Sequence, residues 1–168
     1  GTGAAMSTDL RVRVGGITQS FVATVALQLV DEGLLSLDQT IEVYAPNAPN
    51  ADTITVRHLC NHTSGLFDYR EDEFFDLDYD YGRVWQPGEL LDLAHSQPPY
   101  FAPGASWRAS LTDYIVLGRI IESITDTDIE DEIQSRILVP LELNNTYFAT
   151  GPGLHGAHAR GHVDTSTQ

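Results

Sequence analysis

The sequence predicts a mainly α-helical fold with little strand. Apolar residues recur at helical spacing over residues 17–33, 110–124 and 128–138, and such periodicity sustained beyond ten residues marks helices packed against a core. Apolar–polar alternation is confined to residues 10–14, too little for a sheet of any size. The chain has 168 residues, 42% of them apolar and 20% charged, which suits a single soluble domain with its own core.

Taken in order, residues 1–14 read as an extended arm, with Leu10, Val12 and Val14 alternating against Arg11 and Arg13. From Ile17 the period becomes helical. Ile17, Phe21, Val25 and Leu29 form one stripe with Val22 and Val30 beside it, and Gly33 is the expected stop. This helix is apolar nearly all round, which predicts deep burial. Asp38 to Tyr44 is a connector and Pro46 to Asn50 a turn cluster. Thr55 suits the N-cap of a short helix through Cys60, ending before Ser64-Gly65. Residues 68–82 form an acidic and aromatic loop, Pro87-Gly88-Glu89 starts a helix to about His95, and Pro98-Pro99 and Pro103-Gly104 bracket an extended loop. Ser110 to Ile124 is an amphipathic helix carrying Tyr114, Leu117, Ile120, Ile121 and Ile124. A last helix, Asp128 to Leu138, places Ile129, Ile133 and Ile137 on one face, and Pro140 stops it. We therefore expect one domain: an arm (1–14), a helical region (15–150) and a Gly- and His-rich tail (151–168).

A net charge of −15 argues against nucleic acid and anionic membrane surfaces as partners, because the phosphate term would be repulsive. No apolar run approaches a membrane span, and no basic-then-apolar leader is visible. Cys60 is the single cysteine, so no intrachain disulfide is possible.

The stretch Arg13-Val14-Gly15-Gly16-Ile17-Thr18-Gln19-Ser20 resembles the active-site helix start of the serine β-lactamase and D-alanyl-D-alanine carboxypeptidase superfamily, approximately Arg-Val-Gly-Ser-x-Thr-Lys-Ser. Four further segments carry the same likeness: Leu27 to Leu37, Ile54 to Gly65 with its His-Thr-Ser-Gly turn, Pro103 to Trp107, and Ile137 to Leu143 with its Pro-Leu-x-Leu stretch. Their order and spacing make the resemblance specific. It implies the helical part of the β-lactamase/transpeptidase-like fold, α+β when complete. It also implies an ancestor that hydrolysed amides or esters through a serine nucleophile, a lysine, a tyrosine and a backbone oxyanion site. A secreted or periplasmic site is compatible with it.

The resemblance fails where the chemistry would be. Gly16 stands at the serine position and Gln19 at the lysine position; all nine basic residues are arginine. After Pro103-Gly104-Ala105-Ser106-Trp107, the family's x-Tyr-Ser-Asn is here Arg108-Ala109-Ser110-Leu111, so tyrosine becomes Ala109 and asparagine Leu111. The Lys-Thr-Gly-like third motif would fall beyond residue 168, so we expect a partial domain. None of the family's catalytic side chains is expected at Gly16, Gln19, Ala109 or Leu111. Nucleophile and base act as a unit, and losing either costs on the order of 10⁴–10⁶ in rate. The reading is a catalytically disabled or repurposed hydrolase-like protein that binds a small molecule or peptide at the vacated cleft, through Gly16, Gln19, Trp107, Arg108, Ser110 and Leu111. The alternatives are chemistry rebuilt in the old cleft, and one half of a two-chain or processed hydrolase; self-association or a separate C-terminal fragment is the expected partnership.

Several residues invite sharper readings. Thr18, Ser20 and Ser110 are substitute nucleophiles only with a base in reach, and Ser20 reads better as a small helix-packing residue. Arg108 either clamps a carboxylate bidentately or pairs with a surface acid. His155, His158 and His162 would share a face only on a helix, which the Gly-rich context disfavours, so no metal is expected. In Asp76-x-Asp78-x-Asp80-x-Gly82 the glycine is one place late for a calcium loop, and Pro87 replaces the final Glu. His58 and His62 read as structural, with backbone partners. No cofactor is expected.

Overall fold

The computed structural model describes residues 7–72, 83–151 and 153–158. The acidic stretch with Asp76, Asp78, Asp80 and Gly82, and the tail from residue 159 with His162, lie outside the described residues. The described part is helical. Its only β pairings are two isolated bridges, Arg11 with His158 and Thr40 with Thr55.

Helix α1 (Thr18–Asp31) follows a 3₁₀ turn, Gly15–Ile17. It stops where the sequence places Gly33, whose φ of 73° is left-handed. Gly33 N donates to Val30 O (3.0 Å) and Leu34 N to Leu29 O (2.9 Å), the reciprocal pair that closes a helix on a glycine. Helix α2 (Val56–Cys60) is opened by Thr55, whose hydroxyl accepts from His58 N (3.4 Å) while His58 Nδ1 accepts from Thr55 N (3.2 Å). Helix α3 (Pro87–Ser96) has Pro87 in its first turn, where a missing N–H costs nothing, and Glu89 accepting from Gln86 N (2.8 Å). Helix α4 (Leu111–Thr125) is the longest.

The final helix departs from expectation. The sequence predicts one helix over 128–138; the chain forms α5 (Ile129–Ile133) and then widens into a π turn, Gln134–Leu138. The Ser135 hydroxyl takes the Asp131 carbonyl (2.8 Å), a local competitor for the helical ladder.

The core joins Leu29 of α1, Ile41 and Ile54 of the connectors, Leu59 of α2, Leu66, and Leu117, Ile120 and Ile121 of α4, all at most 2% exposed. Two burial expectations are corrected. Helix α1 buries Val22, Val25, Ala26 and Leu29, but Ile17 and Leu27 are 59% and 51% exposed. It packs by one face on α4, α5 and the π turn, and nothing among the described residues covers the other. Ser20 lies on the exposed side rather than at a packing contact. The described part of the arm makes one bridge, Arg11 with His158, and leaves Val12 and Val14 exposed.

Candidate functional site

The site is built around the turn at residues 62–66, which is laced to the segment ahead of α4. Tyr100 N donates to Gly65 O (2.8 Å), Gly104 N to Thr63 O (2.8 Å) and Arg108 N to His62 O (3.1 Å). The approach is close enough to require glycine. Gly65 has φ of 80°, and a Cβ there would lie 2.1 Å from the Phe101 carbonyl oxygen.

Beneath this lacing lies a buried polar cluster. Asp113, in the first turn of α4, is fully buried. Ser64 Oγ donates to its Oδ1 (2.5 Å), and His62 Nδ1 lies 3.0 Å from its Oδ2. Burial pushes the Asp113 carboxyl up, and the bonds from His62 and Ser64 pull it back down. A second buried carboxylate, Asp68, takes a forked bond from Arg70 (2.9 and 3.3 Å) and accepts from Leu111 N (3.3 Å), an orphan amide at the start of α4. Thr112 Oγ1 donates to Phe67 O (2.7 Å) and accepts from Tyr69 N (3.2 Å). The start of α4 is thereby fixed from three sides.

The backbone-partner reading of the two histidines holds for His58, which caps α2, and for His62, whose Nδ1 accepts from Ser110 N (3.4 Å). His62 has a further partner that reading missed, a buried carboxylate 51 residues away in sequence, a pairing with no local signal in the chain.

The segment Trp107, Arg108, Ser110 and Leu111 is brought together at this turn. Trp107 is 64% exposed, Ala109 is exposed, and Leu111 is half-buried. Ser110 is buried, and its hydroxyl has no protein partner. Arg108 lies over the Tyr100 ring (3.8 Å to the centroid) and grips both oxygens of Glu71 (2.9 and 2.8 Å). Tyr100 OH donates to Glu71 Oε2 (2.8 Å). Arg108, then Tyr100, hold the Glu71 carboxyl below its usual range.

Gly16 and Gln19 lie at the start of α1. Gly16 is exposed, and a Cβ added there would meet nothing within 4 Å. Gln19 is half-buried, and no hydrogen bond joins it to the 107–111 segment among the described residues. Gly16 thus faces open surface. A groove of about 860 Å³ begins at its neighbours Gly15 and Thr18 and runs between residues 8–15, Phe21, Ile133, Leu138 and residues 145–149.

His155 and His158 lie in a segment without helix. Arg11 Nη1 bonds His155 O (2.6 Å), and His158 Nδ1 lies 2.9 Å from Gly156 O. The helical face that would align them does not form, and among the described residues no group of three candidate ligands converges. No described helix is long and apolar enough to cross a membrane.

A helical layer with the nucleophile helix start, the His-Thr-Ser-Gly turn and the Ser110 segment in this order defines the helical part of a serine β-lactamase-like hydrolase. The β-lactamase family profile matches residues 1–168, and the chain belongs to that family. It is similar to penicillin-binding protein 4* of Bacillus subtilis (strain 168), with 28% identity over 143 residues, covering 84% of this chain and 31% of that protein. Among solved structures it is similar to a D-stereospecific amidohydrolase from Streptomyces sp. (38% identity, TM-score 0.78, 82% of this chain and 44% of that one). It is also similar to an octameric penicillin-binding protein homologue from Pyrococcus abyssi (32% identity, TM-score 0.68, 80% and 32%). The chain thus spans less than half the length of these relatives.

Proposed function

We propose that this chain is a β-lactamase-family protein that has lost the serine acyl-enzyme route and binds a small amide, ester or peptide ligand at the open surface beside Gly16. The observation that carries this reading is the start of α1. The nucleophile position is a glycine facing open space, and the base position is a glutamine whose amide cannot accept a proton near neutral pH. A backbone amide at Gly16 and the side chains of Gln19 and Trp107 remain to meet a ligand, whereas Ser110 is buried. Arg108 is occupied by Glu71, so a ligand carboxylate would have to displace that residue. Incubation with a penicillin-type acylating probe followed by intact-mass measurement tests the loss of chemistry: no stoichiometric adduct is expected, and an acyl group on any serine would overturn the reading.

A second reading, a partnership, is favoured by the uncovered side of α1. Ile17, Leu27 and Leu34, with Val12 and Val14 of the arm, are each 46–59% exposed, and exposed apolar side chains of this kind, where they adjoin, recruit cover. The cover is a second copy or a separate chain bearing the rest of the family fold. Light scattering on a size-exclusion column tests it. An assembly dispersed by Ile17→Asp with Leu27→Asp is expected; a sharp 18.5 kDa monomer with a cooperative melt would exclude it.

A further inference from the structure

We propose that the contact between His62 and Asp113 is a proton-operated latch: a proton on Asp113 Oδ2 ties the Ser64 turn to the segment 107–111, and its loss loosens that segment at Ser110. This goes beyond the reading above and does not depend on it, since it concerns how the segment that carries Trp107 is held rather than what it binds.

Two groups converge on one ring nitrogen. His62 Nδ1 lies 3.0 Å from Asp113 Oδ2, and the Ser110 backbone N–H donates to the same atom (3.4 Å). Ser110 is buried, and Nδ1 is the acceptor its N–H has. A donating amide requires a lone pair on Nδ1. With that lone pair in place, Oδ2 can sit at 3.0 Å only as a hydroxyl that donates as the amide does. The other carboxyl oxygen, Oδ1, accepts from Ser64 Oγ (2.5 Å), as a carbonyl oxygen does. A proton on Nδ1 instead would satisfy Asp113 but leave the Ser110 N–H facing another N–H. The neutral acid, with the ring proton on Nε2, is the arrangement that meets every bond. Keeping a carboxylic acid neutral in a dry site lets it donate. Asp113 is fully buried. Burial is the largest influence on its carboxyl and raises it, the bonds from His62 and Ser64 oppose this, and the Asp68 charge adds to it.

Raising the pH takes the proton from Oδ2. A lone pair cannot face an anion at 3.0 Å, so the ring proton must pass from Nε2 to Nδ1 through solvent, which reaches 13% of the His62 side chain. The Ser110 N–H then loses its acceptor. Arg108 N to His62 O (3.1 Å) and Leu111 N to Asp68 (3.3 Å) remain, so the segment stays attached on either side of the loosened residue. Four elements bring titratable or charged groups to this pair. Cys60 closes α2, where Arg57 acts on its thiol, and Tyr114 follows Asp113 on α4. Burial pushes the Cys60 thiol up to about 11 and the Tyr114 hydroxyl upward too, so both stay neutral through the neutral range. Asp68 of the following loop, forked to Arg70, opposes ionisation of Asp113. Arg108 of the segment itself is spent on Glu71.

The unaltered protein, isotope-labelled in histidine, is the sample. Long-range proton–nitrogen correlation spectra, with His62 assigned through bonds from its own Cβ, read the tautomer, and infrared spectra read the C=O stretch of a buried carboxylic acid. On the acid side of the transition the acid band should be present and His62 should carry its proton on Nε2, with Nδ1 an acceptor. On the alkaline side the band should be gone and the ring proton should be on Nδ1. Across the same interval amide exchange at Ser110, corrected for the rise every open chain shows with pH, should speed up about tenfold, the equivalent of one hydrogen bond. Asp113→Asn keeps an acceptor for Ser64 and puts an N–H on Nδ1, so it should hold the latch closed, with Nε2–H on both sides and Ser110 exchange changing less than about twofold. A ring protonated at Nδ1 on both sides overturns the proposal. So does the absence of the acid band wherever the protein is folded, or a Ser110 change that persists in Asp113→Asn. Should Asp113→Asn lose its cooperative melt, the unaltered protein decides: a tautomer that changes as the acid band disappears supports the latch, and either change without the other refutes it.

Discussion

Replacing Gly65 with alanine would place a Cβ 2.1 Å from the carbonyl oxygen of Phe101 and 3.1 Å from its carbonyl carbon. Both neighbours are backbone, so the contact cannot be relieved by a side-chain rotation. The left-handed φ of 80° adds about 1–2 kcal/mol for any L side chain, of which roughly 0.4–1 kcal/mol is recovered because alanine restricts the unfolded chain. Relief must come from moving residues 100–101 away. That breaks the bond from Tyr100 N to Gly65 O and loosens the Tyr100 hydroxyl, which bonds Glu71 and Asp68 N. Two or three bonds at about 1 kcal/mol each bring the expected loss to roughly 3–4 kcal/mol. Gly33→Ala is the control. Its φ of 73° is nearly the same, but its Cβ would meet nothing within 4 Å, so only the conformational part remains, about 0.5–1.5 kcal/mol. Urea unfolding of both variants, compared at equal slope, isolates the contact. Losses within about 0.5 kcal/mol of each other would refute the close approach of the 65 and 101 backbones.

Gly16→Ser should leave stability within about 0.5 kcal/mol, because the new side chain enters open space. It should not restore turnover of penicillin-type β-lactams, as no lysine stands beside it; activity from the single change would contradict the unit behaviour of nucleophile and base. Asp113 is an acid whose folded pKa is raised, chiefly by burial. Its contribution to stability is complete below the ordinary value of 3.8 and is lost as pH rises from there through the raised one, because only the folded state still holds the proton in that window. Asp113→Asn should therefore flatten the fall in urea midpoint across that window, and an unchanged slope would count against a buried, raised carboxyl. Burial, then the Asp113 charge, pushes the Cys60 thiol up to about 11, so Ellman's reagent at pH 8 should label the native protein slowly and the urea-unfolded protein at once.

The helices were legible because their signals are local. Thr55 announces α2, Pro87 and Glu89 announce α3, and the Leu117, Ile120, Ile121 stripe announces α4, all within one or two turns of chain. What α1 packs against was not legible. Its apolar residues surround the axis, and sequence periodicity cannot say that, among the described residues, α4, α5 and the π turn would cover one face of it. The break at Ser135 was hidden because Ile129, Ile133 and Ile137 keep helical spacing through it, and a π turn changes the ladder without changing that pattern. At the site, the expectation at Gly16, Gln19, Ala109 and Leu111 rests on the family-like motifs, which are contiguous in the chain. The His62–Asp113–Ser64 cluster was not. It joins residues 49 and 51 positions apart, and an aspartate in a helix's first turn is more simply read as a favourable charge at a helix start. The Arg108–Glu71 pair was equally unreadable, since the chain offers 24 acidic residues as partners.

The proposed loss of chemistry, with the scaffold kept, has a physical rationale in where the residues lie. Gly16 and Ala109 lie on exposed backbone, where removing a side chain leaves neither a cavity nor an orphaned polar group, and such changes cost little. Ser64, Asp68, Thr112 and Asp113 are at most 2% exposed and bonded to one another's segments. Truncating any one strands a buried partner, at about 1–3 kcal/mol each and more for a charge. The His-Thr-Ser-Gly turn therefore persists because it fastens α4 to the loop before it, whatever happens at the nucleophile. Leu111 shows the boundary between the two regimes. Its side chain is apolar and half-buried, yet its backbone N–H bonds Asp68 at the first residue of α4.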